Sequence, residues 1–191
     1  FRSDTGELTY DRERRLFLIH APLAAGMCGF AGQEKVTAGV LEVELAPGAR
    51  GFACILLTPL DGRPLEDSRR LLLSTPGYTL RSQPGSSPAR PQALINYGLT
   101  ADWWTLEPEP SFLNKPSGNL NGGLGLVWME RVESFINLRL TAGSLAVYPL
   151  AGDGSRREPL GEQDVQRLPN GFRIHLQGAG QPPSPWYELV M

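Results

Sequence analysis

Cysteine and histidine are scarce in this chain of 191 residues: Cys28 and Cys54, His20 and His175, and no others. So few soft or imidazole ligands argue against a Cys/His zinc centre and against a disulfide-dense scaffold. No H-E-x-x-H pair and no G-x-S-x-G elbow occurs, so metalloprotease and α/β-hydrolase chemistry have no foothold. No apolar run approaches the roughly 20 residues that a membrane-spanning helix needs. An excess of one charge sign is missing too. Lys and Arg number 18 against 20 Asp and Glu, a net charge of −2. The basic clusters Arg12-Glu13-Arg14-Arg15, Arg69-Arg70 and Arg156-Arg157 are short, and acidic residues flank most of them. A nucleic acid or an anionic membrane would want a continuous basic stripe, so neither is an expected partner. Helical periodicity is also lacking: no window of 11 or more residues holds a clear 3.6-residue period, and only Glu162–Leu168 could form a turn or two of helix.

What is abundant is turn chemistry. Gly (22) and Pro (17) make up about a fifth of the chain. Between the turns lie strand-like runs. Leu16–His20 follows a turn at Asp11-Arg12-Glu13, and Ala25–Phe30 is a small-residue strand. Val36–Leu45 alternates, with Val36, Ala38, Val40, Glu42 and Glu44 on one side and Thr37, Gly39, Leu41, Val43 and Leu45 on the other. Phe52–Leu57 is a nearly continuous apolar run, which reads as a strand buried on both faces. Further strands are expected at Leu71–Thr75, Ala93–Tyr97, Leu124–Arg131, Ser134–Leu140, Ser144–Pro149, Gly171–Leu176 and Pro185–Met191. Asp61-Gly62, Asp153-Gly154 and Asn170-Gly171 are hairpin signals, since glycine supplies φ > 0 at no steric cost. In the last strand one of Trp186 and Tyr187 should face inward and the other outward. Ten or more short strands predict an all-β fold: a two-sheet antiparallel β-sandwich, jelly-roll-like, spanning residues 1–191 as a single domain, with a closed barrel second. A long irregular insertion is expected around residues 76–123, marked by Ser82–Pro91 and by Glu107–Gly123 with Pro108, Pro110 and Pro116.

Ser3-Asp4-Thr5-Gly6-Glu7-Leu8 followed by Tyr10-Asp11, then Gly29-Phe30, Leu60-Asp61-Gly62 and Ser68-Arg69-Arg70-Leu71-Leu72-Leu73, resembles the β-sandwich domain that follows the catalytic (β/α)8 barrel in some bacterial glycoside hydrolases. The likeness continues at Gly125–Glu130, Leu145–Gly154 and Trp186–Leu189, with gaps at residues 76–123 and 155–170. It implies a non-catalytic accessory module of a secreted enzyme, extracellular or periplasmic. Its partners would be the catalytic domain of the same polypeptide and a polysaccharide or oligosaccharide. The catalytic carboxylates would lie in the barrel. Phe1-Arg2-Ser3-Asp4, which reads as strand sequence, suits a start at a domain edge. No cofactor or metal is expected from the residues themselves, since no Cys/His cluster occurs and no run of alternating acidic ligands supports a calcium site. Two other classes remain open: an independent carbohydrate-active enzyme, hydrolase or lyase, and a protein-interaction module.

Glycosidases pair carboxylates. Here Glu42 with Glu44, Glu107 with Glu109 and Glu130 with Glu133 are the close pairs, and each reads more simply as a solvated face. Asp61 and Asp153 precede glycine, so turn chemistry accounts for them. Both histidines lie in strand-like runs with no serine tied to them. No catalytic residue is therefore assigned. Sugar rings pack their C–H faces on flat aromatics while hydroxyls bond amides and carboxylates. The candidate carbohydrate-binding residues are Trp103 and Trp104 with Asn96 and Tyr97 upstream, and Asn119 and Asn121 in the following loop. The competing reading of Trp103 and Trp104 is loop anchoring or docking against a neighbouring domain. Trp128 reads as core. Cys28 and Cys54 lie in apolar runs, where either a bridge or two buried free thiols is compatible with the sequence.

Overall fold

The computed structural model describes residues 1–32, 34–47, 51–81, 103–105 and 127–191. The chain divides into two compact units, Phe1–Pro76 with Val132–Met191, and Gly77–Arg131. No helix occurs among the described residues. The strands are β1 (Leu8–Asp11), β2 (Leu16–Ala21), β3 (Ala24–Phe30), β4 (Val36–Ala38), β5 (Leu41–Leu45), β6 (Phe52–Pro59), β7 (Arg70–Ser74), β8 (Thr79–Arg81), β9 (Trp103–Thr105), β10 (Val127–Glu130), β11 (Ser134–Leu138), β12 (Ala146–Pro149), β13 (Val165–Leu168), β14 (Gly171–Leu176) and β15 (Trp186–Val190).

The first unit is the expected two-sheet antiparallel sandwich. One sheet has seven strands in the order β1-β2-β3-β6-β7-β15-β12, the other five in the order β13-β14-β11-β5-β4. Leu16, Met27, Ile55, Leu57, Leu71, Leu73, Tyr187 and Leu189 from the first sheet meet Leu41, Val43, Leu45, Ile136, Leu138, Ile174 and Leu176 from the second in one continuous core. Each fully buried aliphatic side chain contributes roughly 1.5–3 kcal/mol of burial free energy. The second unit contains a three-stranded sheet, β8-β10-β9. Thus two parts of the stretch expected to be an irregular insertion, residues 79–81 and 103–105, are strands, antiparallel to Val127–Glu130.

Two readings of the sequence need correction. Val36–Leu45 is not one strand but a hairpin: Val36 pairs with Val43 and Ala38 with Leu41 around Gly39-Val40, where Gly39 takes φ +57°. A two-residue turn shifts the parity, so Val36 and Ala38 share the core face with Leu41, Val43 and Leu45. Val165–Leu168, expected within a helical turn, is β13, pairing with β14 from Leu168–Gly171 to Val165–Ile174. The Asn170-Gly171 signal marks this hairpin correctly. The acids beside glycine are turn-formers as well. Asp61 accepts the N–H groups of Arg63 and Arg69 and the Ser68 hydroxyl. These bonds, the Arg69 amide foremost, hold its carboxyl at about 2. Asp153 accepts the amide and hydroxyl of Ser155.

Candidate functional site

The sugar-site residues expected from the aromatic pattern fall in the second unit. Trp103 and Trp104 lie on β9, where their backbones pair with Glu130 and Met129. Asn96, Tyr97, Asn119 and Asn121 lie outside the described residues. Trp128 is half-buried on β10.

The first unit presents two outer sheet faces of opposite character. On the five-stranded sheet the outward positions are mostly polar, grouped around Phe135, and several are paired with one another. Lys35 reaches Glu42 and Glu44, Arg173 reaches Glu44, and Asn137 donates to Glu42 at 2.7 Å. That last bond is the main reason the Glu42 carboxyl sits below its ordinary value. His175 lies on this face, its ring stacked on Phe135 at 4.7 Å. Its Nε2 is 2.7 Å from Glu133 Oε1 and its Nδ1 is 3.4 Å from Asp164 Oδ1. With both nitrogens facing carboxylates, neither is left to activate a serine or cysteine, so this arrangement does not fit a nucleophile–histidine–acid triad. His20 lines two open clefts, the larger about 460 Å³ and bordered by Arg2, Glu7, Thr37 and Arg139.

The outer face of the seven-stranded sheet is apolar. Register places Tyr10, Phe17, Cys28 and Cys54 in one cross-strand row. Leu8, Ile19, Gly26, Leu56, Ser74 and Trp186 form the next. Phe30 and Phe52 pair beyond Cys28 and Cys54, their rings edge to face at 5.3 Å. Leu8, Tyr10, Phe30 and Trp186 are each 40–42% exposed, whereas Phe17, Ile19, Cys28, Cys54, Phe52 and Leu56 are half-buried. This corrects the reading of Phe52–Leu57. Ala53, Ile55 and Leu57 are buried, but Phe52, Cys54 and Leu56 are not. The strand has the sequence of one covered on both faces and is fully covered on one. Tyr187 faces the core and Trp186 faces out, the split that alternation predicts.

Farther along the same outer face the apolar surface ends at a charged corner. Glu188, 6% exposed, accepts from Arg70 Nε and Nη2 at 2.9 and 2.8 Å. It also accepts from Arg156 Nε and Nη2, at 2.6 and 2.8 Å. Arg156 lies over the Tyr148 ring at 4.7 Å. The two guanidiniums, Arg156 first, hold the Glu188 carboxyl at about 2. Sequence reasoning missed both the apolar rows and this corner. The rows had a signal, since β2, β3 and β6 carry apolar residues at both parities. The corner had none, because Glu188 is 118 residues from Arg70 and 32 from Arg156. Comparison of the chain with protein-family models, with curated proteins and with solved structures finds no match in any of the three.

Proposed function

We propose that this chain is a non-catalytic accessory β-sandwich of a secreted glycoside hydrolase. The outer face of its seven-stranded sheet packs against the catalytic domain of the same polypeptide. The observation that carries the reading is that face: β2, β3 and β6 have apolar residues at both parities, and ten apolar or aromatic side chains from five strands of the sheet's outer face are partly open. Contiguous patches of this kind mark interaction surfaces. The chemistry favours protein over sugar. Among the outward residues of the two rows and the Phe pair, only Tyr10 and Ser74 carry a hydroxyl, and none is an amide or carboxylate. A glycan platform needs several such groups. A domain interface needs an apolar centre and a polar rim, and Arg70, Glu188 and Arg156 stand at the rim. The choice of a barrel as the occupant rests on the resemblance of Ser3–Asp11 and Leu60–Leu73.

The test is reconstitution. A (β/α)8 domain encoded in the same reading frame, produced separately, is expected to co-sediment with this chain one to one. Tyr10→Asp with Phe30→Asp should weaken that complex at least about 100-fold, as loss of central aromatic anchors does. Both positions are on the open face, so the isolated chain should stay folded, its stability lowered mainly by the lost Phe30–Phe52 ring contact, about 0.5–1.5 kcal/mol. Absence of such a domain, or a complex indifferent to both substitutions, would overturn the docking reading. Reducing-sugar release by this chain alone would overturn the non-catalytic part. A fluorescence shift with soluble glucan, mannan or xylan that Trp103→Ala removes would add polysaccharide contact as a second role.

A further inference from the structure

Cys28 and Cys54 stand directly opposite each other on β3 and β6. Which kind of pair they form follows from the ladder. Ala31 N–H donates to Gly51 O at 2.8 Å and Phe30 N–H to Arg15 O at 3.3 Å, so odd-numbered residues of β3 bond toward β6 and even-numbered ones toward β2. Alternation then assigns Gly29–Ala53, Met27–Ile55 and Ala25–Leu57 to bonded pairs, and Phe30–Phe52, Cys28–Cys54 and Gly26–Leu56 to non-bonded ones. The other edge of β6 agrees: Leu60 N–H donates to Arg70 O, so the even-numbered residues of β6 bond toward β7. Non-bonded pairs bring Cα atoms to about 4.5 Å and their side chains closest. That spacing lies within the Cα range a disulfide spans. The neighbouring non-bonded pair, Phe30–Phe52, shows side chains meeting across these two strands. The two cysteines are unbridged. Both are half-buried on the outer face, open to a small reagent.

We propose that Cys28 and Cys54 are a redox pair, closed by a small-molecule disulfide or a thiol–disulfide oxidoreductase into a cross-strand bridge between β3 and β6. The Cys28 thiolate attacks the oxidant R–S–S–R, forming a mixed disulfide and releasing R–S⁻. Cys54 then loses its proton to solvent and attacks the Cys28 sulfur, releasing the second R–S⁻. Two electrons leave the protein and two R–SH form after protonation, so atoms and charge balance. Burial, with the hydrogen bond and charge of Cys28, pushes the Cys54 thiol up to about 12. Cys54 is therefore a poor first nucleophile and acts as the resolving thiol, attacking a sulfur already held against it. The inference stands on strand register; closure takes place while this face is uncovered, before or without the docking proposed above.

The experiment incubates the intact chain with oxidised glutathione, quenches with acid and reads the mass with and without prior reduction. The expected product has lost the mass of two hydrogen atoms, and proteolysis yields one linked peptide pair containing Cys28 and Cys54. Cys54→Ser should stop at a glutathione adduct on Cys28, and Cys28→Ser at an adduct on Cys54 that forms more slowly, because burial still disfavours the Cys54 thiolate. Wild-type chain that retains two free thiols, or accumulates adducts without closing, overturns the proposal. So does a bridged product that appears only above the urea midpoint, since closure would then belong to the unfolded chain.

Discussion

Replacing Gln177 by leucine is expected to destabilise the sandwich by about 3–4 kcal/mol, although the substitution preserves bulk and lies in a loop. Gln177 is fully buried just beyond β14. Its Oε1 accepts the Val132 N–H at 2.7 Å, and its Nε2 donates to Thr75 O at 3.1 Å and to Thr75 Oγ1 at 2.8 Å. Thr75 and Val132 stand at the two ends of the first unit from which Gly77–Arg131 departs and to which it returns. One buried amide therefore clamps the exit and the re-entry of the chain. Leucine would strand a donor and an acceptor away from water, and each orphaned group costs roughly 1–3 kcal/mol. Gln177 also holds φ +60°, a strain that leucine would share, so the expected loss is that of the hydrogen bonds. Urea unfolding checks the total, and hydrogen exchange checks the place: the Val132 amide should lose protection before the β11–β14 ladder does. Thr75→Val removes only the hydroxyl contact and should cost about 1 kcal/mol. A Gln177→Leu chain within about 1 kcal/mol of the parent would show that water replaces the clamp.

The two-sheet sandwich was legible because alternation and turn residues are local. Asp61-Gly62, Asp153-Gly154 and Asn170-Gly171 mark real turns, and Tyr187 against Trp186 follows the period of two. Errors arose where two local patterns coincide. Val36–Leu45 alternates throughout, and only the backbone conformation at Gly39 distinguishes a ten-residue strand from a hairpin. Phe52–Leu57 reads as doubly covered because composition records what a strand is built to meet, not what meets it within the chain. Of the proposed docking face, only the parts were legible: the apolar runs of β2, β3 and β6 stand in the sequence, whereas the aromatics that local pattern singles out are Trp103 and Trp104. The rows were overlooked because Tyr10, Phe17, Cys28 and Cys54 come from four strands and become neighbours only through register. Gln177 and Glu188 were invisible for a related reason: a polar residue in an apolar run signals burial with a partner, and the partner's position is a tertiary fact.

Glu188 carries the second large effect, and it is readable through pH. Its carboxyl stands at about 2 in the folded chain against 4.5 for the unperturbed group, because Arg156 and Arg70 together stabilise the charged form more than burial penalises it. A folded-state value below the unfolded one means stability that is fully present above about pH 4.5 and is lost as pH falls toward about 2. A displacement of that size is worth about 3 kcal/mol. The guanidiniums are about half exposed, at 53% and 43%, so solvent screening should reduce it to roughly 1.5 kcal/mol. Glu188→Gln removes the titrating group with little change of shape. Its unfolding free energy should lie about 1.5–2.5 kcal/mol below the parent at neutral pH, and the gap should close near pH 2. Asp61, also held at about 2, titrates over the same window in both proteins, so it cancels in the difference. Glu188→Ala should cost more, about 3 kcal/mol, because the emptied site leaves Arg70 and Arg156 facing each other without their shared anion. Adding Arg156→Ala to Glu188→Ala should recover part of that loss, a coupling that a double-mutant cycle measures directly. If the Glu188→Gln gap is the same at neutral pH and near pH 2, Glu188 contributes through packing and not through its charge, and the corner is then an apolar contact decorated with ions.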